Sequence, residues 1–182
     1  MKTSLLAVAA ALLAATSVSA ADAKQYGSAK LVYSDLNAKV EDESESVPMK
    51  TAYGLGLGYG VKIDDFRVEG ELTFRGENKL KDEEEGDGVT NHSLMVNGYY
   101  DIATGTAITP YAGLGLGLSQ IKTEDKYTKF AYGASIGAAY NVSEKVAIDL
   151  GYTYTKISDI KEDEMTIKLN TSEIKLGARF AF

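Results

Sequence analysis

Residues 53–61 read Tyr-Gly-Leu-Gly-Leu-Gly-Tyr-Gly-Val, and no other stretch limits the possible folds so sharply. Tyr53, Leu55, Leu57, Tyr59 and Val61 recur with a period of two, with glycine at every place between them. A helix carrying glycine at alternate positions would lose about 1 kcal/mol per glycine relative to alanine. A strand puts the two sets on opposite faces, one apolar and one nearly bare. Residues 66–76 alternate in the same way. Phe66, Val68, Gly70, Leu72 and Phe74 share one face; Arg67, Glu69, Glu71, Thr73 and Arg75 share the other. One face suits oil and the other water.

Eight segments carry this pattern, at roughly 26–36, 51–61, 66–76, 90–101, 107–120, 128–141, 146–157 and 166–182. Each is long enough to cross a bilayer as a tilted strand, which takes about 9 to 11 residues. The intervals between them run 14, 4, 13, 5, 7, 4 and 8 residues, so long and short connections alternate. Short turns at one rim and longer loops at the other are the pattern of a bacterial outer-membrane barrel. The fold expected is all-β, an eight-stranded antiparallel transmembrane barrel with up-and-down meander topology, spanning residues 21–182. Because the first interval is long, both termini are expected in the periplasm and the long loops outside the cell.

The start of the chain agrees with that destination. Lys2 gives a positive beginning, residues 5–15 are an 11-residue apolar run, and Val18-Ser19-Ala20 precedes a cleavage point, which reads as a signal peptide over residues 1–20. Without Lys2, 18 basic against 26 acidic residues give the mature chain a net charge of −8. Such a balance argues against nucleic acid as a partner, since duplex binding needs basic patches. With no cysteine there is no disulfide or thiolate zinc site, and one histidine allows no multi-histidine metal centre. No cofactor and no metal are expected.

Aromatic positions give an independent check. On the apolar face Tyr33, Tyr53, Phe74, Phe130, Tyr132, Tyr152 and Tyr154 fall near one set of strand ends. Tyr59, Phe66, Tyr100, Tyr140, Phe180 and Phe182 fall near the other, as expected of rings at two membrane interfaces. The last strand places Ile174, Leu176, Ala178, Phe180 and Phe182 at alternate positions up to the terminal residue. This ending resembles the terminal strand by which the outer-membrane assembly machinery recognises its clients.

The chain also resembles a family. Residues 109–117 (Thr-Pro-Tyr-Ala-Gly-Leu-Gly-Leu-Gly), residues 147–154 (Ala-Ile-Asp-Leu-Gly-Tyr-Thr-Tyr) and residues 172–180 (Ser-Glu-Ile-Lys-Leu-Gly-Ala-Arg-Phe) carry the likeness. They are similar to the small eight-stranded barrels of the outer-membrane β-barrel superfamily, in its opacity-protein and surface-antigen, porin-like branch. The resemblance implies a structural or surface-interaction role, of adhesin or immune-evasion type, rather than an enzyme. Opacity adhesins have longer loops, some of them basic and glycan-binding; these loops are shorter and acidic, so adhesion to anionic glycans does not carry over.

The inward face holds Lys30, Arg67, Arg75, Lys175 and Arg179 against Glu69, Glu71, Asp149 and Glu173. An eight-stranded barrel has a bore that side chains can just fill. Unpaired buried charge is costly, so these nine are expected to pair and plug the lumen. The competing reading is a narrow porin-like channel, since the glycines of the second and fifth segments leave one side of the bore nearly bare. A more remote alternative is a lipid A-modifying hydrolase built on His92. A Ser–His pair on one strand face needs spacing i and i+2, and Ser93 is adjacent, so it points the other way. Glu69 and Glu71 are flanked by Arg67 and Arg75 and read as ion-pair members rather than an acid–base couple.

Acidic residues concentrate in the long connections: Glu41, Asp42, Glu43 and Glu45; Asp82, Glu83, Glu84, Glu85 and Asp87; Asp159, Glu162, Asp163 and Glu164. Solvation is the plain explanation. A sharper one is sharing of divalent cations with lipopolysaccharide phosphates, although no EF-hand spacing is present. The partners expected are outer-membrane lipids and lipopolysaccharide, the barrel assembly machinery and an unidentified surface partner, with the protein a monomer.

Overall fold

The computed structural model describes residues 23–40, 46–48, 51–76, 90–122, 126–162 and 165–182. The expected signal peptide, residues 1–20, lies outside them, as do Glu41 to Glu45, Asp82 to Asp87, Asp163 and Glu164 of the acidic connections. The strands are β1 (Lys24–Val40), β2 (Ser46–Pro48), β3 (Ala52–Ile63), β4 (Phe66–Arg75), β5 (Thr90–Asp101), β6 (Ile108–Lys122), β7 (Lys126–Asn141), β8 (Val146–Glu162) and β9 (Met165–Ala181). From β3 to β9 each strand pairs antiparallel with its chain neighbour. β1 pairs with β3 on one side and with β9 on the other, so the sheet closes. The short β2 returns along the end of β1, with Ala38 opposite Val47. The wall is therefore an eight-stranded antiparallel meander barrel.

Closure satisfies the backbone in a medium without water, where open sheet edges are not tolerated. The β1–β9 ladder alone runs from Tyr26 opposite Ala181 to Val40 opposite Ile167. Side chains then sort by parity. Along β4, Phe66, Val68 and Phe74 are exposed, while Arg67, Glu69, Glu71, Thr73 and Arg75 are buried. The outer surface is apolar, with Leu31, Leu55, Leu57, Leu114, Leu116, Ile136 and Leu150 all more than half exposed. Such a surface is intelligible only against lipid or another apolar medium.

The rim holding the short connections and both ends of the wall, the turn end, differs from the loop end. At the turn end Tyr59 contacts Phe182 with centroids 6.3 Å apart, and Phe66 contacts Tyr100 at 5.1 Å. Toward the loop end Tyr33 meets Tyr53 at 5.5 Å and Phe130 meets Tyr132 at 6.3 Å. These rings face outward in two bands.

Local chemistry makes the turns tight. Asp64 takes the left-handed conformation at φ 51°, which Asp tolerates better than most residues. The backbone N–H of Asp101 then donates to Asp65 O at 2.8 Å and ties this hairpin to β5. Between β7 and β8, Ser143 Oγ accepts from the N–H groups of Lys145 and Val146 at 3.3 and 3.1 Å.

Strand ends differ from those that alternation suggests. The first strand continues to Val40, the ladder between β6 and β7 reaches Lys122 opposite Lys126, and β8 runs to Glu162 opposite Met165. Asp159 and Glu162, expected in a loop, thus lie on the extension of β8. Beyond the apolar band the strands are held by backbone hydrogen bonds, which need no alternation of side chains. A register shift between Ile157 and Ile160 marks where the β8–β9 pairing becomes irregular.

Candidate functional site in the barrel lumen

The glycine faces of β3 and β6 decide how the lumen fills. Lys30 on β1 and Glu69 and Glu71 on β4 are separated by β3, whose inward places are glycines. A Cβ on Gly58 would lie 2.3 Å from Ser28 Oγ and 2.9 Å from Glu69 Cδ. Glycine there lets side chains from β1 and β4 meet across the strand between them. On β6 a Cβ on Gly113 would lie 2.3 Å from the Tyr99 ring, and one on Gly115 2.1 Å from Asn97 Oδ1. The bare side of the bore is thus covered by long side chains of the adjacent strands, and the space that favoured a channel is occupied.

Six charged groups form an alternating chain across the bore. Lys30 Nζ donates to Glu69 Oε1 at 2.5 Å and also to Glu71 Oε2. Glu71 Oε1 accepts from Lys175 Nζ and, at 3.0 Å, from Thr73 Oγ1. Lys175 lies 3.5 Å from Glu173 Oε2, and Glu173 Oε1 accepts from Arg75 Nε. Arg75 ends the chain, its Nη1 donating to Asn91 O at 3.2 Å and to Ser93 Oγ at 3.0 Å. The carboxylates are almost inaccessible, with Glu69, Glu71 and Glu173 each 1% exposed. Alternation of sign lets each buried charge contact an opposite one, which is what makes such a network tolerable in a low-dielectric bore.

The remaining members lie nearer the turn end. Arg179 Nε approaches Asp149 Oδ2 at 2.5 Å in an ion pair without hydrogen-bond alignment. Arg67 does not join the main chain. Its Nε donates to Asp101 Oδ1 at 2.8 Å, and Lys62 Nζ donates to Asp101 Oδ2 at 2.5 Å. All nine of the charges assigned inward by parity therefore face the lumen, in three separate groups. The inward set named from the sequence left out Asp101, which closes its segment, and Lys62, which reads as part of a turn, although both sit at the inward parity of their strands.

Three tyrosines also escaped the sequence reading. Tyr26, Tyr99 and Tyr111 point inward around Arg67, whose guanidinium carbon is 4.6 Å from the Tyr99 ring centroid and 5.0 Å from that of Tyr111. Tyr99 and Tyr111 meet edge to face at 5.5 Å and 84°. A desolvated cation–π contact of this kind contributes about 2 kcal/mol. Inward parity was the available signal: Tyr99 shares its face of β5 with Asn91, Ser93 and Asn97, and Tyr111 shares its face of β6 with Gly113, Gly115 and Gly117.

Little space is left in the middle. Two internal voids of about 10 Å³ each lie between the ion pairs, one of them bounded by Tyr99, Tyr111 and Lys175. That is room for roughly one water apiece. Inside the wall toward the loop end, Met95, Ile121, Ala131, Ile157 and Leu169 form a buried apolar cluster. At the turn end a larger cavity of about 200 Å³ opens beside Arg67 and Asp101.

His92 and Ser93 fall on opposite sides of the wall. His92 Nδ1 accepts from the Arg75 backbone N–H at 3.3 Å and its ring lies 5.6 Å from Phe74, whereas Ser93 is buried in the lumen on Arg75. The terminal-strand residues face lipid: Ile174, Leu176, Phe180 and Phe182 are exposed, and the Phe182 N–H donates to Gln25 O at 3.1 Å. Among the described residues no group of three or more His, Asp or Glu side chains is placed to hold a metal.

A family described as outer membrane protein beta-barrel domain matches residues 6–182. Outer membrane protein PagN of Salmonella typhimurium is 32% identical over 177 residues, covering 73% of this chain and 74% of that protein. Major surface antigen 4 of Anaplasma marginale is 29% identical over 114 residues, 53% of this chain and 40% of that one. The crystal structure of Neisserial surface protein A superposes with a TM-score of 0.70 at 21% identity, over 87% of this chain and 97% of that one.

Proposed function

We propose, from the premise that the chain belongs to the outer membrane protein β-barrel domain family, that it is a closed-bore barrel whose work is structural or done at the cell surface. The observation that carries this reading is the filled lumen. An ion-pair chain from Lys30 to Arg75 crosses the bore, with an apolar cluster beyond it. A barrel whose wall faces lipid and whose interior is packed has only its rims to offer a partner. In this reading the turn end and both termini face the periplasm, and the loops that carry most of the acidic residues face outward. In this reading the chain is no enzyme, and the outward placement of His92 beside Phe74, away from the Ser93 hydroxyl, supports it.

Ile174, Leu176, Ala178, Phe180 and Phe182 serve as the contact for the assembly machinery. Lipopolysaccharide packs against the loop-end aromatic band. The names of two relatives, an outer membrane protein and a surface antigen, support a surface role. The partner is to be sought by displaying wild-type barrels and barrels trimmed of residues 77–89 on the same cells. The reading expects host-cell or pull-down binding to fall with the loop while barrel folding persists. Equal binding by both, across deletions of each long loop in turn, would remove the surface-interaction role.

A further inference from the structure

We infer that the turn-end cavity is a binding site for a small oxyanion of the phosphate class. The cavity, about 200 Å³, is an order of magnitude larger than the internal voids and opens to the aqueous rim. Its lining is basic in a protein whose overall charge is negative: Lys24, Lys62, Arg67, Lys145 and Arg179 contribute, against the carboxylates of Asp101 and Glu144.

Pairing does not cancel this excess. Asp149, behind Arg179, neutralises that side chain. Asp101 is shared by two cations, one oxygen taken by Arg67 and the other by Lys62, so its single charge leaves one unit of positive charge over. Arg67 is 3% exposed, and its Nη2 has no hydrogen-bond partner among the described residues. Lys24 and Lys145 reach the same cavity without an ion pair among the described residues, with Glu144 as the one further carboxylate in the lining. Arg67 supplies a buried cation in the wall of the cavity and the exposed ammonium groups of Lys24 and Lys145 stand at its mouth, so several positive charges converge on one opening and raise the local concentration of an anion.

The donors favour a tetrahedral anion over a flat carboxylate. Ser143 Oγ already accepts two backbone N–H groups, which leaves its O–H free to donate. Hydroxyl, ammonium and guanidinium donors come from β1, β3, β4 and the β7–β8 turn rather than from one planar fork. Several oxygens on one centre meet donors arriving from several directions, whereas a carboxylate offers two in one plane. The inference is independent of the surface role: the loops could bind nothing and this rim would keep its charge.

The test uses the full-length barrel refolded in zwitterionic detergent, with sodium phosphate titrated against sodium chloride at matched ionic strength and backbone amides followed by NMR. Saturable shifts confined to the turn end, around Thr109, Ser143 and Lys145, are expected, competed by sulfate. In the double variant Lys24→Gln/Lys145→Gln the apparent affinity should fall about tenfold, as loss of two partly screened charges near contact implies. The variant's folded state is checked by its unchanged spectrum at the loop end. Shifts that do not saturate, that are equal in chloride, or that survive the double substitution would overturn the site. A parallel arm adds phosphatidylglycerol to the micelles; perturbation by that lipid and none by inorganic phosphate would overturn the free-anion assignment.

Discussion

Glu71 is the middle of the lumen chain, and replacing it by Gln tests whether that chain holds the barrel together. Its two oxygens serve two lysines, Oε2 accepting from Lys30 and Oε1 from Lys175, and the residue is 1% exposed. Glutamine keeps the volume but has one acceptor oxygen, so whichever way it turns, amide N–H groups face an ammonium. Lys30 retains Glu69 at 2.5 Å, but Lys175 keeps only Glu173, 3.5 Å away and already bonded to Arg75. Three cations then share two carboxylates in a buried space. Removing one partner of a buried pair costs about 3–5 kcal/mol. At about 2 kcal/mol per molar urea, the unfolding midpoint should fall by about 1.5 to 2.5 M. Far-UV circular dichroism suits the assay in lipid vesicles, since the chain has no tryptophan. Adding Lys175→Met should return about 1–2 kcal/mol by removing the orphaned ammonium. A loss below about 1 kcal/mol, or a double variant whose loss is the plain total of the two singles, would refute the role given to this chain.

Two glycines on neighbouring strands should respond unequally to valine. Gly115→Val places a Cβ 2.1 Å from Asn97 Oδ1 and should cost about 1–3 kcal/mol or more, whereas Gly98 faces outward with nothing within 4 Å and should change stability by less than about 0.5 kcal/mol, both read from urea midpoints. Leu114→Arg puts a charge on a side chain 74% exposed on the lipid face, between the two aromatic bands, and should cost about 2–4 kcal/mol in vesicles. Phe182→Ala removes the ring lying on Tyr59; the variant should refold in vitro with wild-type stability to within about 1 kcal/mol, yet its outer-membrane yield on envelope fractionation should drop severalfold.

Which face each strand residue occupies was legible because one face meets lipid and the other does not, a contrast that a period of two writes directly into the sequence. Phe66 to Arg75 shows it residue by residue. What each inward residue touches was not legible, because that depends on register and on the strand between. Lys30 finds Glu69 and Glu71 two strands away only because Gly56 and Gly58 of β3 present no side chain. Tyr26, Tyr99 and Tyr111 were lost among outward-facing tyrosines, since composition does not separate an interfacial ring from one stacked on Arg67. Asp101 and Lys62 sit where strand and turn meet, and there the sequence does not tell whether the strand still runs and its parity applies. The outer ends of β1 and β8 escaped for a related reason: past the lipid, polar residues continue the ladder through backbone hydrogen bonds alone.

Single-channel recording of the purified barrel in a planar lipid bilayer tests the closed lumen most directly. The ion-pair chain, the rings around Arg67 and the apolar cluster of Met95, Ile121, Ala131, Ile157 and Leu169 together predict a baseline indistinguishable from that of bare lipid. A steady, long-lived conductance rising in proportion to salt, of the size of an open pore, would contradict it.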